Sequence, residues 1–282
     1  VNSSYSTCRP QLHAAGIGTW LEPVSCEDPF FQPEGGASEQ TVYAAIRQIG
    51  TIFNTPTVAE NLISEIKNDF DMAERLVQTT GKGYLRAVWI DCVGRCCKEK
   101  DKNSPNYGKP TGKVLVGAGT GAPNLLMKEA GMTNVFEGLT GSWACVSPEA
   151  MLAAKPEVMI IVDAAWDSAL KKIQYLHDHV QFCNAEPVIG ADYVTIPFSA
   201  STLGPRNGAA ALDLATASLH VTQGSVSVNF KSGVKFFDPD FLVESTKGLR
   251  CPINMKNVVY GPEGGWEAKA RRGGWHPPCP VK

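Results

Sequence analysis

The spacing of apolar residues predicts two helices in the first third of the chain. Ser38 is a suitable N-cap for a helix over residues 39–50, where apolar positions recur every three or four residues. A longer run with the same period covers residues 57–80 and ends at Gly81. It predicts one amphipathic helix of about six turns, roughly 33 Å long. Residues 1–37 show little periodicity and are rich in proline and glycine, which is typical of loops.

Beyond residue 81 the pattern alternates between short apolar runs and amphipathic segments. The apolar runs predict strands at residues 84–92, 114–116, 158–162 and 192–196. The amphipathic segments predict helices at residues 123–130, 147–154, 167–177 and 207–220. Strands that alternate with helices in this way indicate an α/β fold with a mainly parallel, Rossmann-like sheet.

The C-terminal part of the chain has a different pattern. Two apolar stretches, at residues 225–230 and 234–237, predict a hairpin around Ser232 and Gly233. After Tyr260 the chain is rich in glycine and proline, and we expect an irregular tail there.

Composition and charge narrow the class of protein. The chain has 282 residues, of which 43% are hydrophobic, and this is enough for one or two domains with substantial cores. Its net charge is −2, from 26 basic and 28 acidic residues, so no polybasic surface for nucleic acid is expected. No run of 18 apolar residues occurs, and we therefore predict no transmembrane helix.

Cysteine is unusually frequent for a reduced protein of this length. The nine cysteines are Cys8, Cys26, Cys92, Cys96, Cys97, Cys145, Cys183, Cys251 and Cys279. Their wide scatter favours disulfide bonds formed in an oxidising compartment, and the odd number leaves at least one thiol without an intrachain disulfide partner. Buried thiols that pack as small apolar groups are the alternative. The cluster at residues 92–97 has no second pair at ligand spacing, which argues against a zinc site.

A glycine-rich turn follows the predicted strand at residues 114–116. The segment VLVGAGTGAPNLLMKEAGM contains the pattern G-x-G-x-x-[GA] at residues 117–122. This pattern after a strand is typical of NAD(P)-dependent oxidoreductases, and Glu137 would be the residue that binds the ribose. The following helix is short, however, and residues 134–136 make a poor second strand. A tight strand-to-helix turn that needs small residues is the alternative, and we favour it.

A series of short motifs runs through residues 114–163, and its pieces are Ala130-Gly131, Asn134-Val135, Trp143, Val146-Ser147 with Glu149, and residues 155–162. The order of these motifs resembles the C-terminal lobe of periplasmic binding proteins for cobalamin and ferric siderophores. These proteins form the helical-backbone class, in which one long rigid helix joins two α/β lobes. The long helix at residues 57–80 falls at the position of that connecting helix. The strand, loop and helix at residues 196–220 resemble the last elements of the family. The resemblance covers roughly residues 39–221.

The resemblance implies four parts in this chain. They are a remnant of the N-terminal lobe (1–56), the connecting backbone helix (57–80), the C-terminal α/β lobe (81–222) and an extension with the glycine- and proline-rich tail (223–282). The early strands of the family's N-terminal lobe are missing, because only about 55 residues precede the long helix. We therefore expect a fragment that lacks the upstream part of that lobe.

The resemblance also implies a function. It predicts a monomeric, non-catalytic binding protein outside the cytoplasm, which takes up a metal chelate such as a ferric siderophore, cobalamin or haem-like ligand and needs no cofactor of its own. No arrangement of Ser, His and Asp or of Cys and His supports catalysis. The alternatives are the NAD(P)-dependent oxidoreductase and a metal-cofactor enzyme of the chelatase-like group, which would need a histidine or a carboxylate over the cleft.

Six residues are candidates to line the ligand cleft, because a metal chelate needs flat aromatic surfaces and cationic donors. They are Trp20, Trp143, Trp166, Phe198, Ser199 and Arg206. Trp143 matches a pocket tryptophan of the family, and Trp166 follows the end of a predicted strand, where open α/β sheets bind ligands. Arg206 lies in a turn, where a guanidinium can bind carboxylate, catecholate or hydroxamate oxygens. The alternatives are core packing of Trp143 and Phe198 and a solvated Arg206.

Two further positions have both a functional and a structural interpretation. Glu149 matches the family's surface glutamate, which pairs with arginines of a membrane permease. It also suits the first turn of a helix, where the helix dipole favours a carboxylate. His177 and His179 could offer two imidazoles to a metal, but without further clustered ligands a polar helix end is the better interpretation.

Overall fold

The computed structural model describes residues 8–25, 33–80, 85–183, 185, 188, 192–223, 231–236, 239–252, 259–260 and 266–267. The α-helices in this part of the chain are α1 (Cys8–Ala14), α2 (Glu39–Ile52), α3 (Pro56–Thr80), α4 (Ala122–Glu129), α5 (Pro148–Ala153), α6 (Ala169–Asp178), α7 (Asn207–Gln223) and α8 (Pro239–Thr246). The strands are β1 (Leu85–Cys92), β2 (Val114–Gly117), β3 (Met132–Asn134), β4 (Trp143–Val146), β5 (Val158–Asp163), β6 (Asp192–Pro197), β7 (Lys235–Phe236), β8 (Val259–Tyr260) and β9 (Trp266–Glu267). None of the described helices is long and apolar enough to span a lipid bilayer.

A seven-stranded sheet forms the centre of the described structure, in the order β4-β2-β1-β5-β6-β7, with β3 also paired to β1. β1 is parallel to β3 and β5, and β5 is parallel to β6. β2 is antiparallel to both of its neighbours, and β7 is antiparallel to β6. The α/β fold with a mainly parallel sheet, as predicted from the alternating pattern, is confirmed.

Two strands share one side of β1. β3 pairs with residues 85–87, whereas β2 pairs with Ile90 and Cys92. β5 pairs with residues 87–90 and so occupies the other side of β1. β2 and β3 therefore run towards each other along β1, and the glycine turn leaves the sheet where they meet.

The long helix α3 is unbroken over 25 residues, about 37 Å, as its periodicity predicts. Its buried stripe joins the core beside α2 and α7, and it consists of Ala59, Ile63, Ile66, Phe70 and Ala73. Burial of each large apolar side chain stabilises the fold by about 1.5–3 kcal/mol. α3 and α7 approach closely at Gly208, where an added Cβ would lie 2.5 Å from the Ile66 carbonyl oxygen. Small residues in α7 therefore allow the two helices to pack at short range.

The sheet separates two hydrophobic cores. Val158, Ile160 and Val162 of β5 face the core that contains residues of α2, α3, α4 and α7. Met159 and Ile161 face the core that contains residues of α6. Because side chains alternate along a strand, a strand covered on both faces is apolar at every position. This explains the continuous apolar run from which β5 is predicted.

Two disulfide bonds fix the segment that follows β1. Cys92 is bonded to Cys96, and Cys97 is bonded to Cys145 of β4. The prediction of disulfides is confirmed, and the cysteine cluster is therefore not a zinc ligand set. Among the described residues no group of three or more His, Cys, Asp or Glu side chains could hold a metal ion.

The structure adds elements that the sequence pattern does not predict. β3 and β4 have three and four residues, which is too short for a periodic signal, and α8 is likewise not predicted. Lys235 and Phe236 pair with β6, whereas residues 225–230 of the expected hairpin lie outside the described residues. β9, in the expected irregular tail, pairs with β8, which directly precedes the tail, in a two-stranded sheet. Cys26 and Cys279 also lie outside the described residues.

Candidate functional site

The carboxyl ends of β1, β5 and β6 lie side by side, because these three strands are parallel neighbours. The loops that follow them contain residues 93–113, 164–168 and 198–206. Ligands of open α/β sheets bind outside the carboxyl ends of the strands. We call the side chains on these loops that bind or contact one another the carboxyl-edge site, and they are Arg95, Trp166, Asp167, Phe198, Ser199 and Arg206.

An aromatic pair is the most exposed apolar part of this site. Trp166 follows β5 and Phe198 follows β6, and their ring centroids are 5.0 Å apart at an interplanar angle of 71°. This edge-to-face arrangement is favourable for two aromatic rings. Trp166 is 70% exposed and Phe198 is 40% exposed. Two large exposed rings in contact provide apolar surface that a flat ligand can cover.

The side chain of Arg206 is held within its own loop by Ser199, the residue that directly follows Phe198. Its Nη1 donates to Ser199 Oγ at 2.6 Å. Buried Asn207 closes the loop, since its side chain accepts from the Gly204 amide at 2.7 Å and donates to the Thr202 carbonyl at 2.9 Å. A guanidinium has five N–H donors, so the bond to Ser199 leaves donors that can bind ligand oxygens.

A charged cluster joins the loops after β1 and β5. Arg95 Nη2 donates to Asp167 Oδ1 at 2.8 Å, and Lys172 Nζ lies 3.5 Å from Asp167 Oδ2. Lys172 is 1% exposed, and it also donates to the Val162 carbonyl. Burial lowers the pKa of Lys172, and the carboxylates of Asp167 and Asp91 oppose this effect. A buried ammonium thus fixes Asp167, which in turn positions the exposed Arg95.

The structure places Trp143 and Trp20 apart from the carboxyl-edge site. Trp143 begins β4 opposite Gly117 of β2, and its half-buried ring packs against the core that contains α3. β2 and β1 lie between β4 and β5, which corresponds to about 14 Å at roughly 4.8 Å per strand. Trp20 donates from Nε1 to Gln48 Oε1 of α2 at 2.7 Å. The candidates that the structure brings together are therefore Trp166, Phe198, Ser199 and Arg206.

The glycine turn after β2 is filled by the chain itself. The amides of residues 118–120 donate to backbone carbonyls of residues 139–142, each at 3.0 Å. A Cβ on Gly119 would lie 2.1 Å from the Glu137 carbonyl oxygen. In a dinucleotide site this space belongs to the pyrophosphate, and the strand before the turn is parallel to its neighbours. Because β2 is antiparallel and the turn is occupied, these residues do not fit a nicotinamide cofactor.

Glu149 is exposed in the first turn of α5, after the N-cap residue Ser147. Hydrogen bonds from its own amide and from Ser147 lower its pKa. Its side chain also accepts from Gln181 Nε2 at 3.3 Å. An ionised carboxylate at an exposed helix start is available for a cationic partner.

His177 is a core residue at the end of α6. It is 1% exposed, and its ring nitrogens lie 3.0 Å from the Cys251 carbonyl and 3.1 Å from the Tyr193 hydroxyl. Burial lowers its pKa to about 4. His179 stacks on Tyr175 at a centroid distance of 4.9 Å. The two histidines therefore make separate contacts, in agreement with a helix end rather than a metal site.

The charged cluster contains residues that are not among the six candidates. Lys172 can be recognised from the sequence pattern, because it lies three residues after buried Ala169 and four before buried Leu176, on the apolar face of α6. A lysine on such a face predicts a buried partner. Arg95 and Asp167 have no comparable signal, since they are 72 residues apart and meet only through the fold.

The structure thus combines a long helix packed along an α/β sheet with aromatic and arginine side chains at the carboxyl edge, and its glycine turn does not fit a dinucleotide. Residues 26–181, more than half of the chain, match the sequence profile of the periplasmic binding protein family. The chain belongs to this family. No curated protein sequence matches it.

Several solved structures have a similar fold. A protein of an ABC-type Fe3+-hydroxamate transport system from Saccharomonospora viridis is 17% identical over 75% of this chain and 63% of that chain, with a TM-score of 0.55. A periplasmic binding protein from Veillonella parvula is 17% identical over 76% and 65%, with a TM-score of 0.58. The periplasmic heme-binding protein RhuT from Roseiflexus sp. RS-1 is 16% identical over 77% and 72%, with a TM-score of 0.54. The chain spans less than two thirds of the length of the first two proteins.

Proposed function

We propose that the protein is a non-catalytic binding protein that holds a metal chelate, such as a ferric siderophore, a cobalamin or a haem-like ligand, at the carboxyl-edge site. The contact between the exposed rings of Trp166 and Phe198 carries this proposal, because it offers apolar surface beside a cationic donor. Membership of the periplasmic binding protein family supports a role in ligand capture.

The chemistry of the carboxyl-edge site suits such a ligand. A chelate presents a large apolar surface together with anionic oxygens. The rings of Trp166 and Phe198 would cover the apolar part, while the guanidinium of Arg206 donates to the oxygens. Arg95, positioned by Asp167, adds a second guanidinium on the neighbouring loop. Binding then needs no bond to be formed or broken in the ligand.

We further propose that the protein works outside the cytoplasm as a monomer and passes its ligand to a membrane permease. The exposed carboxylate of Glu149 is the proposed contact for permease arginines. The two disulfides support an oxidising compartment, because such bonds persist there and are rare in the cytosol.

Fluorescence titration tests the proposal with four probes: a ferric tris-hydroxamate, a ferric tris-catecholate, haemin and cyanocobalamin. Binding of any of them is expected to quench Trp166, because this ring is exposed in the site. Trp166→Phe should remove most of the quenching while binding is retained. Trp20→Phe is the matched control, since Trp20 lies against α2, and it should leave the quenching unchanged. Lack of saturable binding for all four probes would refute the proposal.

A further inference from the structure

The segment that joins β1 to β2 is strongly basic. We call residues 95–113 the basic loop, and its charged side chains are Arg95, Lys98, Lys100, Lys102, Lys109 and Lys113 against Glu99 and Asp101. Six positive and two negative charges give this loop a net charge of +4. The whole chain has a net charge of −2, so the remaining residues together carry −6. The basic loop thus places a net positive charge beside one edge of the sheet, although the chain as a whole is slightly acidic.

The acidic side chains of the basic loop bind its backbone rather than its lysines. Glu99 Oε1 accepts from the Asp101 amide, and Asp101 Oδ1 accepts from the Asn103 amide, each at 2.9 Å. All five lysines of the loop are exposed. Within the described part of the chain, none of them forms a salt bridge. The lysine charges therefore face solvent.

The basic loop has a defined shape that holds these charges in place. The Thr111 amide donates to the Cys97 carbonyl at 2.8 Å, and the Glu99 amide donates to the Lys109 carbonyl at 3.0 Å. The disulfide from Cys97 to Cys145 ties the loop to β4. These contacts hold the loop in one shape and offset the cost of ordering it, which is roughly 1–2 kcal/mol for each backbone residue.

The basic loop begins in the carboxyl-edge site. Arg95 lies within the short turn that the Cys92–Cys96 disulfide closes, and it donates to Asp167 at 2.8 Å. Charges act over about 8–10 Å at physiological salt. A fixed cluster of one sign beside a binding site raises the rate at which oppositely charged ligands reach it.

We infer that the basic loop steers anionic metal chelates, such as ferric catecholates and ferric carboxylates, to the carboxyl-edge site and selects them over neutral ones. This inference rests on the proposed function and narrows the ligand to one charge class. The alternative is a solvated loop that does not distinguish ligands by charge.

Stopped-flow measurement of association rates with the full chain distinguishes steering by the basic loop from a loop that is indifferent to ligand charge. The probes are a trianionic ferric tris-catecholate and a neutral ferric tris-hydroxamate of similar size. Raising the salt concentration from about 20 mM to about 500 mM is expected to slow association of the trianion roughly tenfold or more. The neutral chelate should change by less than about twofold, because screening does not act on it.

Charge-removal variants locate the effect on the loop. The variant Lys100→Gln, Lys102→Gln, Lys109→Gln is expected to slow association of the tris-catecholate roughly fivefold at low salt, with its dissociation rate unchanged. A matched control removes the same number of charges from exposed lysines on other elements, and it should change the rate by less than about twofold. The lysines of this control variant are Lys67, Lys128 and Lys247.

The outcomes are distinguishable from those for the proposed function. Equal slowing by the two triple variants, or equal salt dependence for the two chelates, would overturn the inference and leave the proposed function intact. Binding of only the neutral chelate would likewise overturn the inference and leave the proposed function intact. If neither chelate, haemin nor cyanocobalamin binds, the proposed function fails and the inference fails with it.

Discussion

The rings of Trp166 and Phe198 meet edge to face at 5.0 Å, on loops that leave two neighbouring parallel strands. Because both rings are exposed, truncating one should remove the proposed ligand contact without opening the core. We predict that Phe198→Ala weakens chelate binding roughly tenfold, or about 1.4 kcal/mol, by isothermal titration calorimetry. Trp20→Ala is the control, since Trp20 is also 40% exposed but bonds to α2. Equal losses in the two variants would contradict this placement of the site.

Gly119 and Gly138 form a matched pair for testing the glycine turn. A Cβ at position 119 would lie 2.1 Å from the Glu137 carbonyl oxygen, whereas a Cβ at position 138 has no atom within 4 Å. We predict that Gly119→Ala lowers the free energy of unfolding by about 3 kcal/mol, and that Gly138→Ala changes it by less than about 0.5 kcal/mol. Urea denaturation measures both. Similar values for the two variants would show that residues 137–139 do not pack on the turn.

Asp167 links the buried cation Lys172 to the exposed cation Arg95. Removing Asp167 should therefore lower the free energy of unfolding more than removing Lys172 does. Asp167→Ala leaves the buried ammonium without its nearest carboxylate, and we expect a loss of about 3 kcal/mol in the free energy of unfolding. Lys172→Met should cost about 1 kcal/mol, because Asp167 keeps its bond to Arg95. The double variant, completing a thermodynamic cycle, should be less destabilised than the sum. Lys247→Met, in an exposed pair with Glu244, is the control and should have no measurable effect.

His177 should make the stability of the protein depend on pH in the acidic range. Its folded-state pKa is about 4, below the ordinary value of 6.5, so between these values the unfolded chain binds a proton that the folded chain does not. The contribution is complete above pH 6.5 and is lost as the pH falls to 4, by roughly 3 kcal/mol in total. His177→Gln should flatten this part of the profile, measured by urea denaturation at several pH values. The surface variant His13→Gln should leave it unchanged.

The elements that follow from the sequence are those with a strong local pattern. α3 is predicted because Leu62, Ile66 and Phe70 recur at helical spacing, and β5 because five consecutive positions are apolar. The direction of β2 is not predictable in this way. It pairs antiparallel between β1 and β4, and strand direction depends on contacts between distant segments rather than on the residues of the strand.

The same reasoning applies to the candidate site. Trp166 and Phe198 are recognisable because each follows the end of a predicted strand, and parallel neighbours bring such positions together. Trp143 is predicted from the family motif instead, and the structure places it in β4 at the edge of the sheet, with β2 between β4 and β1. The basic loop is not recognisable from the net charge of the whole chain, which is nearly neutral. Net charge does not show where charged residues cluster along the sequence.

The shared pairing of β2 and β3 along β1 limits how this fold can change in length. β3 pairs with residues 85–87 of β1 and β2 pairs with Ile90 and Cys92, so only Val88 and Trp89 lie between the two paired stretches and either strand has little room to extend. Insertions between them would have to be accommodated by α4. The connection after β1 lies at the surface and has no such limit. We therefore expect insertions and deletions to occur in the connection after β1, beside the carboxyl-edge site where the ligand is expected to bind. Changes in ligand preference that accompany them would arise at the same place.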